Sequence, residues 1–272
     1  MIKMIQSKIK ILQLKDYQYI PYLYLKIAVM PEGPSIVILK EEVQQFAGKE
    51  ITAVDGNTSI DKDRLLHQKV IEFKSWGKNF LICFEGFTLR IHFLLFGTYR
   101  INEVKDSPVR LNLTFKNGEI NLYSCSIKFL EGDLDLHYDW TADVMNDSWD
   151  PDTAEKKLKK VPDKLICDTL LEQDIFSGVG NIIKNEVLYR VHVHPESLTG
   201  KIPIAKRKEI IAQARTYSFD FLEWKKNYEL KKHWEAHTKK ECLRCNLPML
   251  KKYTGVKKRR SFFCNNCQKL YE

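Results

Sequence analysis

Three groups of residues in this chain have the types and spacing to do chemistry. The first is Met30-Pro31-Glu32-Gly33-Pro34. A proline directly behind a methionine becomes a chain end once that methionine is removed. Its secondary amine is then a nucleophile, with the carboxylate of Glu32 beside it. An α-amine with a pKa of about 7.7–8.0 is partly neutral near pH 7 and can attack an electrophilic carbon. Within a longer chain the same nitrogen is an amide and has no basicity. The second group is Cys242-Leu-Arg-Cys245 with Cys264-Asn-Asn-Cys267, two pairs with 18 residues between them. Each pair places two thiolates on one knuckle turn, and two knuckles complete a tetrahedral site. One Zn²⁺ is expected there. It is structural, because four protein ligands leave no open position for a reacting water. The third group is Gly178-Val-Gly180-Asn181. Two glycines let the backbone approach a ligand closely, and a helix start behind them presents free N–H groups that attract phosphate. A tight helix–helix connection accounts for the same residues equally well.

The elements that must position these groups follow from apolar periodicity. From Pro31 to about Gly48 the apolar residues Ile36, Leu39, Val43 and Phe46 recur at helical spacing. The period then changes to two. Residues 51–54, 70–73, 79–84, 88–93 and 98–101 read as strands. Leu111, Leu113 and Phe115, then Asn117-Gly118, then Ile120 and Leu122 read as a hairpin. Asp147-Ser-Trp-Asp-Pro-Asp152 is polar and turn-rich and marks a boundary. Beyond it helices are expected over 165–173, from Asn181 to Arg190, and through Ile210, Ile211, Ala214, Phe221 and Leu222. From Lys239 the text becomes short strands carrying the cysteines. The fold class is therefore α+β and multidomain. It comprises residues 1–29 as a start-site extension, 30–150 as a helix with an antiparallel β-sandwich, 151–235 as a helical domain, and 236–272 as a zinc-pinned β-hairpin.

Bulk composition narrows the classes. The chain has 272 residues, 44% hydrophobic and 29% charged, with no apolar run near the roughly 18–20 residues that span a bilayer, so no membrane partner is expected. The net charge is +9; residues 1–29 hold five Lys and one Asp, and without them the charge is +5. A basic balance favours a polyanionic partner. The stretch Lys251, Lys252, Lys257, Lys258, Arg259, Arg260 between the cysteine pairs suits nucleic-acid backbone, although a ribbon of this kind also suits RNA or protein. Seven cysteines, four of them clustered, argue for a metal rather than disulfides. Cys83, Cys125 and Cys167 read as packing residues. Residues 1–29 lack the pattern of a signal peptide and read as sequence upstream of a true start at Met30.

Taken together, Met30-Pro-Glu-Gly-Pro34, Leu171-Glu-Gln-Asp-Ile-Phe-Ser-Gly-Val-Gly-Asn-Ile-Ile-Lys-Asn-Glu186 and Arg259-Arg-Ser-Phe-Phe-Cys-Asn-Asn-Cys-Gln268 resemble the formamidopyrimidine-DNA glycosylase / endonuclease VIII family from Met30 to Glu272. The resemblance implies an opening catalytic domain, a helix-two-turn-helix and a zinc-finger hairpin. It implies a base-excision enzyme that flips a damaged nucleotide from double-stranded DNA, displaces the base through a Schiff base on Pro31, and nicks the strand by β,δ-elimination. Carried over, Glu32 transfers protons at the sugar, Lys78 and Arg259 grip phosphate, and Arg259 supports elimination. Gly180, Asn181 and Arg260 contact the DNA backbone. His92-Phe-Leu-Leu-Phe-Gly97 falls where the family fills the gap left by the flipped base, with Leu95 the first wedge candidate and Leu94 and Phe96 next; core packing is the competing role. The family implies a monomer, cytoplasmic and nucleoid-associated in the bacterial manner.

Two departures matter. The segment Leu122-Tyr-Ser-Cys-Ser-Ile-Lys-Phe-Leu130 lacks the Asp-Pro-Arg-Arg-Phe-Gly type run of the oxidised-purine branch. It points to the endonuclease VIII-like branch and to oxidised pyrimidines, with an oxidised-purine enzyme as the alternative. Ser35 stands where the family usually has a glutamate, which removes a second carboxylate from the site. If residues 1–29 persist, Pro31 has no free amine, and the chain would bind lesions without cutting. A ribosome- or RNA-associated zinc ribbon explains the basic hairpin but not the Pro-Glu opening.

Overall fold

The computed structural model describes residues 31–272; the expected extension over 1–29, and Met30, lie outside the described residues. The first helix, α1 (Gly33–Glu42), has Pro34 in its first turn and buries Ile36 and Leu39. It ends sooner than the spacing predicts. The chain tightens into a 3₁₀ turn at Gln44–Phe46 and turns away at Gly48, whose φ of +73° suits glycine.

Six strands follow: β1 (Ile51–Asp55), β2 (Glu72–Trp76), β3 (Asn79–Cys83), β4 (Phe87–Ile101), β5 (Leu111–Phe115) and β6 (Gly118–Glu131). They form one antiparallel sheet in the order β1-β5-β6-β4-β3-β2. Strands from both ends of that order share a single core. Ile51, Leu113 and Phe115 meet Phe73, Phe80 and Ile82 there, together with Ile36, Leu39 and Val43 of the α1 side. Phe46 stacks on Phe115 at 4.6 Å. The alternate residues of β3, Leu81 and Cys83, bury against Trp76 and Leu134 on the other face. Period-two alternation thus serves two cores at once.

The sequence predicts separate strands at 88–93 and 98–101; the structure joins them into β4, paired along both parts with β6. The register breaks between Phe93 and Thr98. Leu94, Leu95 and Phe96 are left outside the ladder and are 51%, 51% and 67% exposed. A bulge is the expected way to interrupt a ladder and re-aim side chains. In the β5–β6 hairpin Phe115 pairs with Gly118, so Lys116 and Asn117 form the turn and Gly118 opens the strand.

The helical half begins at Asp150, whose side chain caps α2 (Pro151–Lys159) with Pro151 in the first turn. The helix expected over 165–173 is only α3 (Ile166–Thr169). Beyond it the amides of Leu171 and Glu172 bond back three residues, to Asp168 and Thr169. Gln173 is instead spent on the glycine turn, accepting from the Gly178 N–H (3.1 Å) and donating to the Val179 carbonyl (3.2 Å). Two longer helices follow, α4 (Asn181–Arg190) and α5 (Ile204–Lys226). A buried Arg207–Glu155 pair at 2.8 Å ties α5 to α2. The last unit is the hairpin β7 (Leu250–Thr254) and β8 (Arg259–Phe263). Cys83, Cys125 and Cys167 are buried, as their contexts predict.

Candidate active site and metal centre

Pro31-Glu32-Gly33 does not lie loose at the edge of the β domain. The Gly33 N–H donates to the Gly178 carbonyl at 2.9 Å, which seats the strand-like opening residues on the turn before α4. Gly77, in the tight β2–β3 turn at φ +53°, approaches the same turn. A Cβ on Gly77 would collide with Ser177 Oγ, and one on Gly33 would lie 2.9 Å from Gly178 Cα. Three glycines from three segments therefore meet, and only the absence of side chains lets the backbones close up. Buried Asp143 fixes Gly77 from below, accepting its N–H at 2.9 Å. This junction brings half-buried Lys78 within electrostatic reach of Glu32.

Glu32 is 1% exposed. Its Oε1 accepts the Ile182 N–H at 2.7 Å and its Oε2 the Ile183 N–H at 3.2 Å. Gly180 is glycine for a local reason, since a Cβ there would collide with the Glu32 carboxylate. The structure corrects one expectation here. The amides of Ile182 and Ile183 in the first turn of α4 are not open to phosphate; Glu32 takes them, as a carboxylate at a helix N-terminus does well. Burial nevertheless raises the Glu32 pKa, against the pull of Lys78 and the amides of Ile182, Ile183 and Gly180. Lys78 is pushed down to about 8, chiefly by burial. The Glu32 charge opposes that shift, while the positive charges of Arg259 and Lys257 add to it. The site thus holds a carboxyl inclined to keep a proton and an amine inclined to lose one, the pattern of groups set apart for proton transfer.

Of the other expected residues, Asn181 is buried at the start of α4, and its Oδ1 has no hydrogen-bond partner among the described residues. Ser177 Oγ in the glycine turn is likewise without a partner among the described residues, and buried polar atoms left unmet are costly. Arg259 is half-buried on β8 with its field reaching Lys78, whereas Arg260 beside it is exposed and 5.8 Å from the Tyr253 ring. Leu95 and Phe96 stand out from the β4 bulge rather than in the core, which answers the packing alternative. Ser35 is buried and its hydroxyl accepts from Lys225 Nζ at 2.5 Å. The ammonium of Lys225, from α5, therefore reaches the position where the sequence lacks a second carboxylate.

The four cysteines converge. Their sulfurs all lie within 4.8 Å of one another, with Cys242–Cys267 at 3.7 Å and Cys245–Cys264 at 4.0 Å. A tetrahedral thiolate site with metal–sulfur bonds of about 2.3 Å needs sulfurs about 3.8 Å apart, so the donor set and spacing fit one ion. Around it the Tyr189 hydroxyl meets Cys242 Sγ at 3.3 Å, and Asn266 Nδ2 donates to Cys245 Sγ at 3.2 Å.

Comparison with known proteins places these features. Residues 30–129 match the family model described as "Formamidopyrimidine-DNA glycosylase N-terminal domain", and residues 141–217 match "Formamidopyrimidine-DNA glycosylase H2TH domain". The chain belongs to the formamidopyrimidine-DNA glycosylase / endonuclease VIII family. Endonuclease 8-like 3 of Xenopus laevis is 29% identical over 216 residues, covering 71% of this chain. This chain spans about a third of that relative's length, 33%. Formamidopyrimidine-DNA glycosylase of Solibacter usitatus is 25% identical over 271 residues, covering 88% of this chain and 100% of its own. Among solved structures, the Lactococcus lactis formamidopyrimidine-DNA glycosylase non-covalently bound to abasic-site DNA shares the fold. Its TM-score is 0.78 at 20% identity, over 88% of this chain and 99% of that one.

Proposed function

We propose that the chain is a bifunctional DNA glycosylase and abasic-site lyase of the endonuclease VIII-like branch, acting as a monomer on oxidised pyrimidines in double-stranded DNA. One observation carries the reading: Pro31-Glu32 is docked on the glycine turn and α4 start, with the charges of Glu32 and Arg259 both reaching Lys78. An amine freed at Pro31 attacks the sugar C1′, and the base departs with the bonding electron pair and takes up a proton. Loss of the remaining amine proton and opening of the sugar ring give an iminium. That cation acidifies the C2′ hydrogen; its removal breaks the C3′–oxygen bond, and a second elimination breaks the C5′–oxygen bond. Glu32, whose raised pKa lets it hold a proton, serves the sugar oxygen. Lys78, Asn181 and Arg259 hold the flanking phosphates. Leu95 and Phe96 fill the space vacated by the flipped nucleotide. Zn²⁺ on Cys242, Cys245, Cys264 and Cys267 supplies no chemistry; it holds the hairpin in shape.

Borohydride trapping tests this. A chain beginning at Pro31 is expected to be captured covalently on duplex carrying an oxidised pyrimidine or an abasic site, and Pro31→Gly to retain part of that capture. A chain beginning at Met1 is expected to give none. No covalent complex with any lesion duplex from the Pro31-initiated chain would overturn the lyase reading. Preference for an oxidised purine would move the chain to the other branch.

A further inference from the structure

Lys184 is a charged side chain with no solvent exposure, in the middle of α4. Neither the expected chemistry nor the metal site uses it. Its ammonium donates to the Arg260 carbonyl at 3.1 Å and to Ser261 Oγ at 2.9 Å, and Ser261 Oγ in turn meets Thr254 Oγ1 at 2.6 Å across the hairpin. The next residue, Asn185, also donates to the Arg260 carbonyl (3.3 Å) and accepts the Phe262 N–H (3.3 Å). From α3, the buried Asp168 carboxylate accepts the N–H groups of Val256 (2.8 Å) and Lys257 (3.2 Å) at the hairpin turn. Gly255 is tight against that carboxylate, and a Cβ there would strike it. The chain is therefore held at 256–257 and again at 260–262, and Arg259 lies between the two grips.

A two-stranded hairpin is marginal by itself, so its position relative to the helices is set by what grips it. Burying an ammonium costs several kcal/mol unless it is fully hydrogen-bonded. A fold that only needed packing here would place an apolar side chain. The Lys184 charge also feels both halves of the site: burial, with Arg259 adding, lowers its pKa to about 8, and Cys167, Asp168 and Glu32 oppose that shift. The same helix caps Glu32 at its N-terminus. One helix therefore carries the register between the opening residues and the hairpin arginine.

We infer that Lys184, with Asp168 and Asn185, is a positioning residue that fixes Arg259 for its phosphate contact. The inference rests on the proposed role of Arg259 as a phosphate-gripping residue. Its test is chosen to be independent of the lyase step. Binding of the full chain to duplex carrying a tetrahydrofuran abasic-site analogue is measured by fluorescence anisotropy across a salt series. Arg259→Ala is expected to weaken binding about tenfold and to flatten the dependence of log K on log salt by about one unit, the share of one phosphate contact. Lys184→Met, which never touches solvent or DNA, is expected to flatten the slope by the same amount. The double variant is expected to be no weaker than Arg259→Ala alone, because two residues acting through one contact do not add. Zinc content and thermal melting confirm that each variant is folded. A folded Lys184→Met with the parent salt slope, or losses that multiply in the double variant, would overturn the inference. Should Lys184→Met fail to fold, Asp168→Asn probes the same grip from the turn side, with the same slope loss expected and an unchanged slope overturning it. A parent protein that binds the analogue but is never trapped by borohydride would sink the lyase reading and leave this result standing.

Discussion

The β domain and helix α4 are both buried, but they are held by opposite means. The main core cluster of the β domain is apolar, from Ile36 and Phe46 to Leu113, Phe115 and Leu122, and the polar groups its strands bury, at Asn79, Thr88 and Asn121, carry no charge. In α4, nine consecutive residues from Asn181 to Tyr189 are buried, and Lys184, Asn185 and Glu186 are among them. Glu186 alone accepts the N–H groups of Glu235, Ala236 and His237, at 2.9, 3.0 and 2.7 Å, and so holds the segment that leads into the metal module. Apolar contact is non-directional and fills space. Buried charge with its hydrogen bonds met fixes one arrangement and penalises all others. The β domain needs only to be filled, whereas α4 has to set three modules in register.

The largest expected break comes from removing the metal. A strong chelator should unfold the hairpin, because a short segment with little core depends on its ion for folding. Loss of DNA binding together with release of one zinc per chain checks this, and binding that survives chelation would refute it. Next, Glu186→Ala leaves three amides unmet, that of Ala236 buried and those of Glu235 and His237 partly so, and should cost about 2–4 kcal/mol, read as a shift in urea midpoint. A cost under about 1 kcal/mol would mean that α4 is held by apolar packing like the β domain.

Gly180→Ala should leave the protein folded but force the Glu32 carboxylate aside. A displacement of that size at a reacting group lowers turnover about 100-fold, seen in single-turnover base excision. Unchanged turnover would separate Glu32 from the chemistry. The pH dependence of stability sharpens the contrast further. Lys78 and Lys184 have folded pKa values lowered from 10.5 to about 8. Between these values the unfolded chain binds more protons at these lysines, so stability should rise from pH 8 towards pH 9, above which the thiols of Cys83, Cys125 and Cys167, held protonated by burial, oppose the rise. Above that, the tyrosines held protonated by burial (Tyr99, Tyr138 and Tyr217) reverse the trend. Lys184→Met should shrink the rise, and denaturation curves across this window check it. The smallest effect on stability is expected at the bulge. Leu95→Ala should change folding by under about 0.5 kcal/mol while weakening binding to a lesion duplex, whereas a core-sized loss would put Leu95 back in the interior.

Sequence alone determined whatever depends on residues close together in the chain. The cysteine pairs, the period-two strands, the β5–β6 hairpin (its turn one residue earlier than Asn117-Gly118) and the Pro-Glu opening each carry their physics within a few residues, so local spacing suffices to read them. The bulge that exposes Leu95 was half legible: two strand segments were visible, but not that one partner, β6, runs the length of both. The tertiary structure decided the rest. Glu32 occupies the amides of Ile182 and Ile183 about 150 positions away, and Lys184 lies under Ser261 rather than in water. Nothing in the local text distinguishes a lysine in a helix that faces solvent from one that faces a hairpin. What a charge does depends on what surrounds it, and only folding brings those surroundings together.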